Sequence, residues 1–278
     1  MIYLLLAIMS SAMIAVIMRV SSRRVRGNIS MLAVNYLTCL LLGAWYAGFP
    51  LFPVQAPGFP LTAGMGAVNG MLYLAGFVLL QYNTGKSGVV LSSVFIKLGL
   101  LVPMVLSVFL FGEMPSTMQC VGFVLAVGAI ILINYEKGSS FSGFRLPLVL
   151  MLLAGGCGDA MSKVFEGYGP ETHGDLFLFY TFVSAFLLCV ALIFRKKERP
   201  DSYALLFGAL VGIPNFFSAK FLLMALGRLP GVIVYPTYSV ATILVVTLAG
   251  VCLFKERLRR NQWLALSVIL AALVMLNV

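Results

Sequence analysis

Residues Phe111–Asn134 read FGEMPSTMQCVGFVLAVGAIILIN, and residues Phe254–Asn277 read FKERLRRNQWLALSVILAALVMLN. Phe111, Glu113, Gln119 and Asn134 recur as Phe254, Glu256, Gln262 and Asn277, each pair 143 positions apart. Gly88 and Gly231 match at the same offset. Gly66 and Gly70 have near-counterparts in Gly208 and Gly212, one residue out of step. Ordered matches at the borders of apolar runs indicate an internal duplication.

Both quoted stretches are apolar, and so is the chain. Of its 278 residues, 61% are apolar and 10% charged. Soluble domains carry about 45–50% and about 25%. A single globule of this length has too little interior to hide that much apolar surface. The composition excludes an ordinary soluble enzyme, a disordered protein and a nucleic-acid binder. Lipid is the solvent.

A transmembrane helix needs about 20 mostly apolar residues. Ten stretches qualify or nearly so: 2–18, 30–48, 61–82, 87–111, 116–134, 146–163, 175–194, 203–226, 231–254 and 262–277. They read as helices, because lipid leaves no partner for an unpaired backbone group. Strict two-residue alternation, the mark of a barrel, is absent. Phe49 to Pro60, with Pro50, Pro53, Pro57, Gly58 and Pro60, reads as a loop. The first span reads as a retained helix, since no basic leader precedes it and Arg19, Arg23, Arg24 and Arg26 follow. Five spans per half is an odd number, so the second half enters the membrane from the opposite side. The expected fold is an all-α polytopic membrane protein of ten transmembrane helices. It forms two inverted five-helix repeats, residues 1–138 and 139–278, in the manner of many secondary transporters.

The net charge of +10 sorts by loop. Fifteen of the 19 Lys and Arg residues follow odd-numbered spans, and one follows an even-numbered span. Basic short loops stay in the cytoplasm. The expected topology therefore has odd-numbered loops cytoplasmic and both termini outside, in the cytoplasmic (inner) membrane of a prokaryote. Charge of this kind reports orientation and implies no nucleic-acid partner.

The segments ending Leu110-Phe111-Gly112-Glu113 and Leu253-Phe254-Lys255-Glu256, each followed by Gln and another apolar helix, resemble the drug/metabolite transporter superfamily, specifically its EamA-like ten-helix members. Lys255-Glu256-Arg257-Leu258 keeps most of the Gly-Glu-Arg-Leu-like turn of that family, whereas Met114-Pro115 replaces Arg-Leu in the first half. Lys163 falls where such proteins often carry a Lys late in the first helix of a repeat, with Arg19 its rough counterpart. The resemblance implies transport, leans towards export, and implies that one chain closes around its site as a monomer. Family members are drawn with both ends cytoplasmic, opposite to the charge count here.

The remaining basic residues, Lys97, Lys163 and Lys220, lie inside spans. Intramembrane ionisable groups are costly and mark function. Lys97 sits about 15 Å from either interface at 1.5 Å per residue, too deep to snorkel comfortably. It should face a wet cavity or a counter-charge. Asp159 is the only carboxylate well within a span, and Lys163, four residues on, can pair with it. Asp159 and Lys163 are the coupling candidates. Lys220 is nearer a span end. Among neutral groups, Asn69, Tyr73, Ser93, Asn215, Tyr235 and Tyr238 are candidate substrate contacts alongside Lys97 and Lys220. Ser10, Ser11, Ser92, Ser218, Thr237 and Ser239 are further polar groups in these spans. Such hydroxyls often bond only their own helix. Pro103, Pro214 and Pro236 should kink their helices, since each leaves a carbonyl without its helical donor.

Gly66-x-x-x-Gly70, Gly208-x-x-x-Gly212 and Gly155-Gly156-Cys157-Gly158 read as close-packing surfaces. No Walker motif appears, so no ATP hydrolysis is expected. Five scattered cysteines without C-x-x-C and a lone His173 imply no disulfide, metal or cofactor. The expected function is secondary transport of a small polar metabolite by alternating access. Three lysines against one aspartate favour an anion or a zwitterion such as an amino acid. The alternatives are a cationic drug exporter and a non-transporting membrane enzyme or scaffold. Cationic-drug exporters of the superfamily rely on a Glu in their first helix, and here no acid precedes Glu113. An enzyme would draw on the cluster Glu166, Glu171, His173 and Asp175.

Overall fold

The structure is a computed structural model describing residues 1–22, 24–99, 101–111, 146–226, 228, 231–255 and 260–275, with scattered positions between 116 and 128. The described elements are helical. They are α1 (Ile2–Ser21), α2 (Asn28–Ala47), α3 (Phe59–Ser87), α4 (Val89–Leu98), α5 (Leu101–Phe111), α6 (Leu146–Tyr168), α7 (Gly174–Lys196), α8 (Ser202–Leu226), α9 (Gly231–Phe254) and α10 (Arg260–Met275). Seven helices are long and apolar enough to cross a membrane, corresponding to α1, α2, α3, α6, α7, α8 and α9. The chain is a multi-pass membrane protein.

Two expected spans differ from this plan. The fourth is interrupted at Gly99, between α4 and α5. Pro103 has no N–H for the carbonyl of Gly99, and Val102 N–H bonds that carbonyl instead, at 2.9 Å. The Gly99 N–H bonds Ile96 O one residue short of the α-helical partner, at 3.2 Å. Gly99 also abuts α6: a Cβ there would lie 2.7 Å from Gly156 N and 2.9 Å from Leu152 O. The expected fifth span, 116–134, lies largely outside the described residues, as do Glu113, Gln119, Asn134, Glu256 and Asn277 of the repeat and the side chain of Gln262. α3 runs longer than the expected 61–82, reaching Ser87, and meets α4 through Gly88 alone, at φ +88°. Only glycine adopts that φ without strain.

Helices α2, α3, α7 and α8 pack closely, α3 on α7, α7 on α2 and α2 on α8. Two of these crossings, α3 on α7 and α2 on α8, rest on small-residue faces. On α3, a Cβ at Gly66 would fall 2.7 Å from Tyr180 Cβ, and one at Gly70 would strike Thr181 O and Ser184 Cβ of α7. On α8, a Cβ at Gly208 would fall 2.6 Å from Met31 O, and one at Gly212 2.6 Å from Thr38 Cβ of α2. The two Gly-x-x-x-Gly pairs thus do the same work in the two halves. Around Tyr36, Phe77, Phe182 and Phe216 the rings of this group interlock edge-on and stacked.

Helices α1, α4, α6 and α9 flank that group. α1 lies on α8 and α9, and α6 lies on α3 and α4. Carboxylates join the halves at one end of the bundle. Glu198 Oε1, after α7, accepts from Ser30 N in the first turn of α2 at 2.7 Å. Asp201 accepts from Ala204 N at 2.7 Å, capping α8, and from Arg26 N at 3.3 Å.

The glycine crossings predict an asymmetry between two glycines of one helix. Gly64 on α3 has nothing within 4 Å of its would-be Cβ. Gly64→Ala should leave the unfolding temperature in detergent unchanged or raise it, since Ala is the better helix former by about 1 kcal/mol. Gly70→Ala should lower stability by about 1–3 kcal/mol through overpacking. Equal unfolding temperatures for the two variants would refute the packing account.

Candidate functional site

Six helices line a cavity of about 140 Å³: α1, α3, α4, α6, α8 and α9. Its polar wall holds Ser93 and Lys97 from α4, Tyr73 from α3, Asp159 from α6, Asn215 from α8 and Tyr238 from α9. The remaining wall is largely apolar, with Leu72, Phe77 and Leu80 of α3 prominent.

Lys97 is in the last turn of α4. The break at Gly99 places Lys97 at a helix C-terminus, the end whose dipole favours a cation. Its Nζ stands 3.7 Å from the ring centroid of Tyr238, a cation–π contact joining α4 to α9. Asp159 shares the cavity and lies within Coulombic reach of Lys97. The ammonium therefore has a π face, a carboxylate and a helix end as neighbours, rather than hydrocarbon.

Hydrogen bonds fix the wall behind these groups. Tyr238 Oη and Ser218 Oγ are 3.0 Å apart, and Ser218 Oγ donates towards Ala7 O of α1 at 3.5 Å. Asn215 Nδ2 donates to Asn35 Oδ1 at 3.2 Å and reaches Cys39 Sγ at 3.5 Å, tying the cavity to α2. Cys39 Sγ in turn donates to Gly212 O at 3.3 Å. Gly158 and Gly155 on α6 line the cavity as well as packing. Gly158 leaves room beside Tyr73, whose ring edge would sit 3.7 Å from a Cβ there.

The other candidate residues lie elsewhere. Lys220 Nζ bonds both carboxylate oxygens of Asp175, at 2.6 and 2.8 Å, and stands 4.5 Å from the Tyr46 ring centroid. It is outside the cavity lining. Asn69 is fully buried and does not line the cavity, with Nδ2 on Thr181 Oγ1 at 3.4 Å. Lys163, one turn beyond Asp159, does not line the cavity. The side chain of Tyr235 lies outside the described residues. The loop cluster disperses: His173 Nδ1 and Thr62 Oγ1 are 3.1 Å apart, Asp175 holds Lys220, and Glu166 and Glu171 are exposed.

Thr242 of α9 lines the cavity and was not singled out by the sequence. The signal available for it is its position four residues after Tyr238, on the same helix face. Ser11 and Ser218, noted only as polar groups in their spans, also belong to the wall.

The model of the EamA-like transporter family matches residues 1–135 and again residues 143–278. The chain is 25% identical over 285 residues to an uncharacterized protein of Haemophilus influenzae, across 97% of this chain and 95% of that one. A crystal structure of another protein shares the fold at 16% identity and a TM-score of 0.61, covering 99% of this chain and 94% of that chain. With both halves matched by one family model, the chain belongs to the EamA-like transporter family of the drug/metabolite transporter superfamily.

Proposed function

We propose that the protein is a secondary transporter that moves a small anionic or zwitterionic metabolite, such as an amino acid, across the cytoplasmic membrane of a prokaryote. Family membership supplies transport. The single observation that carries the substrate class is that Lys97 and Asp159 line one cavity together with apolar residues such as Leu72, Phe77 and Leu80. A ligand bearing both signs of charge satisfies both residues, and a bulky cation leaves Lys97 opposed.

Two inverted five-helix repeats remain the preferred architecture. Support comes from repeat-related contacts: α3 with α7 answers α8 with α2, and α3 with α6 answers α8 with α1. The double family match supports it too. Alternating access would then rock the cavity helices against the α2–α3–α7–α8 group. Export is the expected direction, and a monomer is the expected working unit, since all the lining residues named above come from one chain.

The test is transport in proteoliposomes with radiolabelled amino acids. Lys97→Ala should cut uptake by about 10–100-fold, the loss of one charge-assisted contact, while thermal unfolding stays cooperative. Wild-type rates in that variant would reject the binding role.

Asp159 is the proton-coupling candidate. Asp159→Asn should abolish the response to an imposed pH gradient, and counterflow exchange should weaken with it, since the same carboxylate faces the substrate's ammonium. A variant still driven by the gradient excludes Asp159 from coupling. The charge distribution also predicts a C-terminus outside the cytoplasm. A C-terminal alkaline phosphatase fusion should be active and a C-terminal green fluorescent protein fusion dark. The reverse pattern overturns that topology.

A further inference from the structure

Helix hydroxyls in this protein have a default partner. Thr38, Thr62 and Thr181 donate to the carbonyl four residues earlier, at 2.9, 3.1 and 2.8 Å, and Ser92, Ser162 and Ser267 do the same at 2.8, 3.2 and 3.0 Å. That bond is how a membrane helix ordinarily disposes of a hydroxyl. Among the described residues Ser30, Thr84, Thr242 and Thr247 depart from the pattern, and of these four Thr242 alone lines the cavity. Its residue is 1% exposed, it lines the cavity, and its Oγ1 has no hydrogen-bond partner among the described residues. Leaving a buried hydroxyl unpaired is unfavourable, so a satisfied state of this group should exist.

We infer that Thr242 is a substrate-contacting residue, whose hydroxyl and the Lys97 ammonium together form a receptor for a carboxylate. The inference rests on the transporter reading above. Thr242 stands one turn after Tyr238 on α9, on the face that presents the Tyr238 ring to Lys97. A carboxylate that draws Lys97 from the ring has a second oxygen free to accept from Thr242 Oγ1. Such a group satisfies the orphan hydroxyl and neutralises the lysine in one step. Asp159 is then left for an ammonium on the same molecule. Leu72, Phe77 and Leu80 offer an apolar wall for its side chain. Thr242 thereby reads the anionic end, and Asp159 the cationic end.

The experiment measures binding of three probes to purified full-length protein by calorimetry: L-leucine, L-leucinamide, which lacks the carboxylate, and 4-methylpentanoate, which lacks the ammonium. Wild type should bind L-leucine and 4-methylpentanoate. Thr242→Val keeps the side-chain volume and removes the hydroxyl. It should weaken both ligands about tenfold, the loss of one hydrogen bond to a charged group. Leucinamide binding should stay within about twofold of wild type. Thr242→Ser should restore the acids. Thr242→Ala reads the same loss if the valine variant does not fold. Unchanged L-leucine affinity in a folded Thr242→Val or Thr242→Ala variant overturns the receptor and leaves the transporter reading standing. Wild-type binding of leucinamide alone overturns the receptor as well. Binding of none of the three by wild type removes the zwitterion reading, and the receptor with it.

Discussion

Close backbone approach at glycine is the constraint on which the rest of this structure depends. In lipid, helices are not driven together by water, so association rests on packing and on bonds made at short range. Gly66 and Gly70 bring α3 against α7, and Gly208 and Gly212 bring α8 against α2. Four helices are thereby fixed to one another. α1, α4, α6 and α9 line the cavity together with α3 and α8. A side chain at any of the four glycines would move the very walls from which Tyr73 and Asn215 project.

The same need for close approach shapes α4. Pro103 weakens the helix, and contact with the Gly156 backbone sets where it breaks. The break in turn supplies the helix end beside Lys97. A costly charge is thus kept by two neighbours from other helices: the face of Tyr238 and the carboxylate of Asp159. Each comes from a different helix. The lysine is as much a product of the packing as of its own position in the sequence.

Much of this arrangement is legible in the amino-acid sequence. Lys97 and Asp159 stand out because a charge deep in an apolar run has few bland explanations, and both lie on the cavity. The two Gly-x-x-x-Gly pairs stand out by spacing. Less legible are the contacts made between distant segments. Lys220 finds Asp175 across 45 residues, and nothing local to Lys220 announces it. Asn69 looks like a cavity residue by helix position, yet it bonds Thr181 and does not line the cavity. Thr242 is hidden by its own ordinariness, since most hydroxyls in helices simply fold back on their backbone. The position of the break in α4 depends on which glycine of α6 faces it, and no reading of α4 alone provides that.

Both halves match one family model, yet their charges are not shared out evenly. Lys97 belongs to the first half, and its counterpart at the 143-residue offset is Val240. Asp159 belongs to the second half, and its counterpart is Val16. A symmetric pair of either half would hold two lysines or two aspartates, a site of a single sign. Here the cavity takes its lysine from the first half of the chain and its aspartate from the second, so its lining carries both signs. The two halves match one family model, and the cavity owes both of its signs to places where they differ.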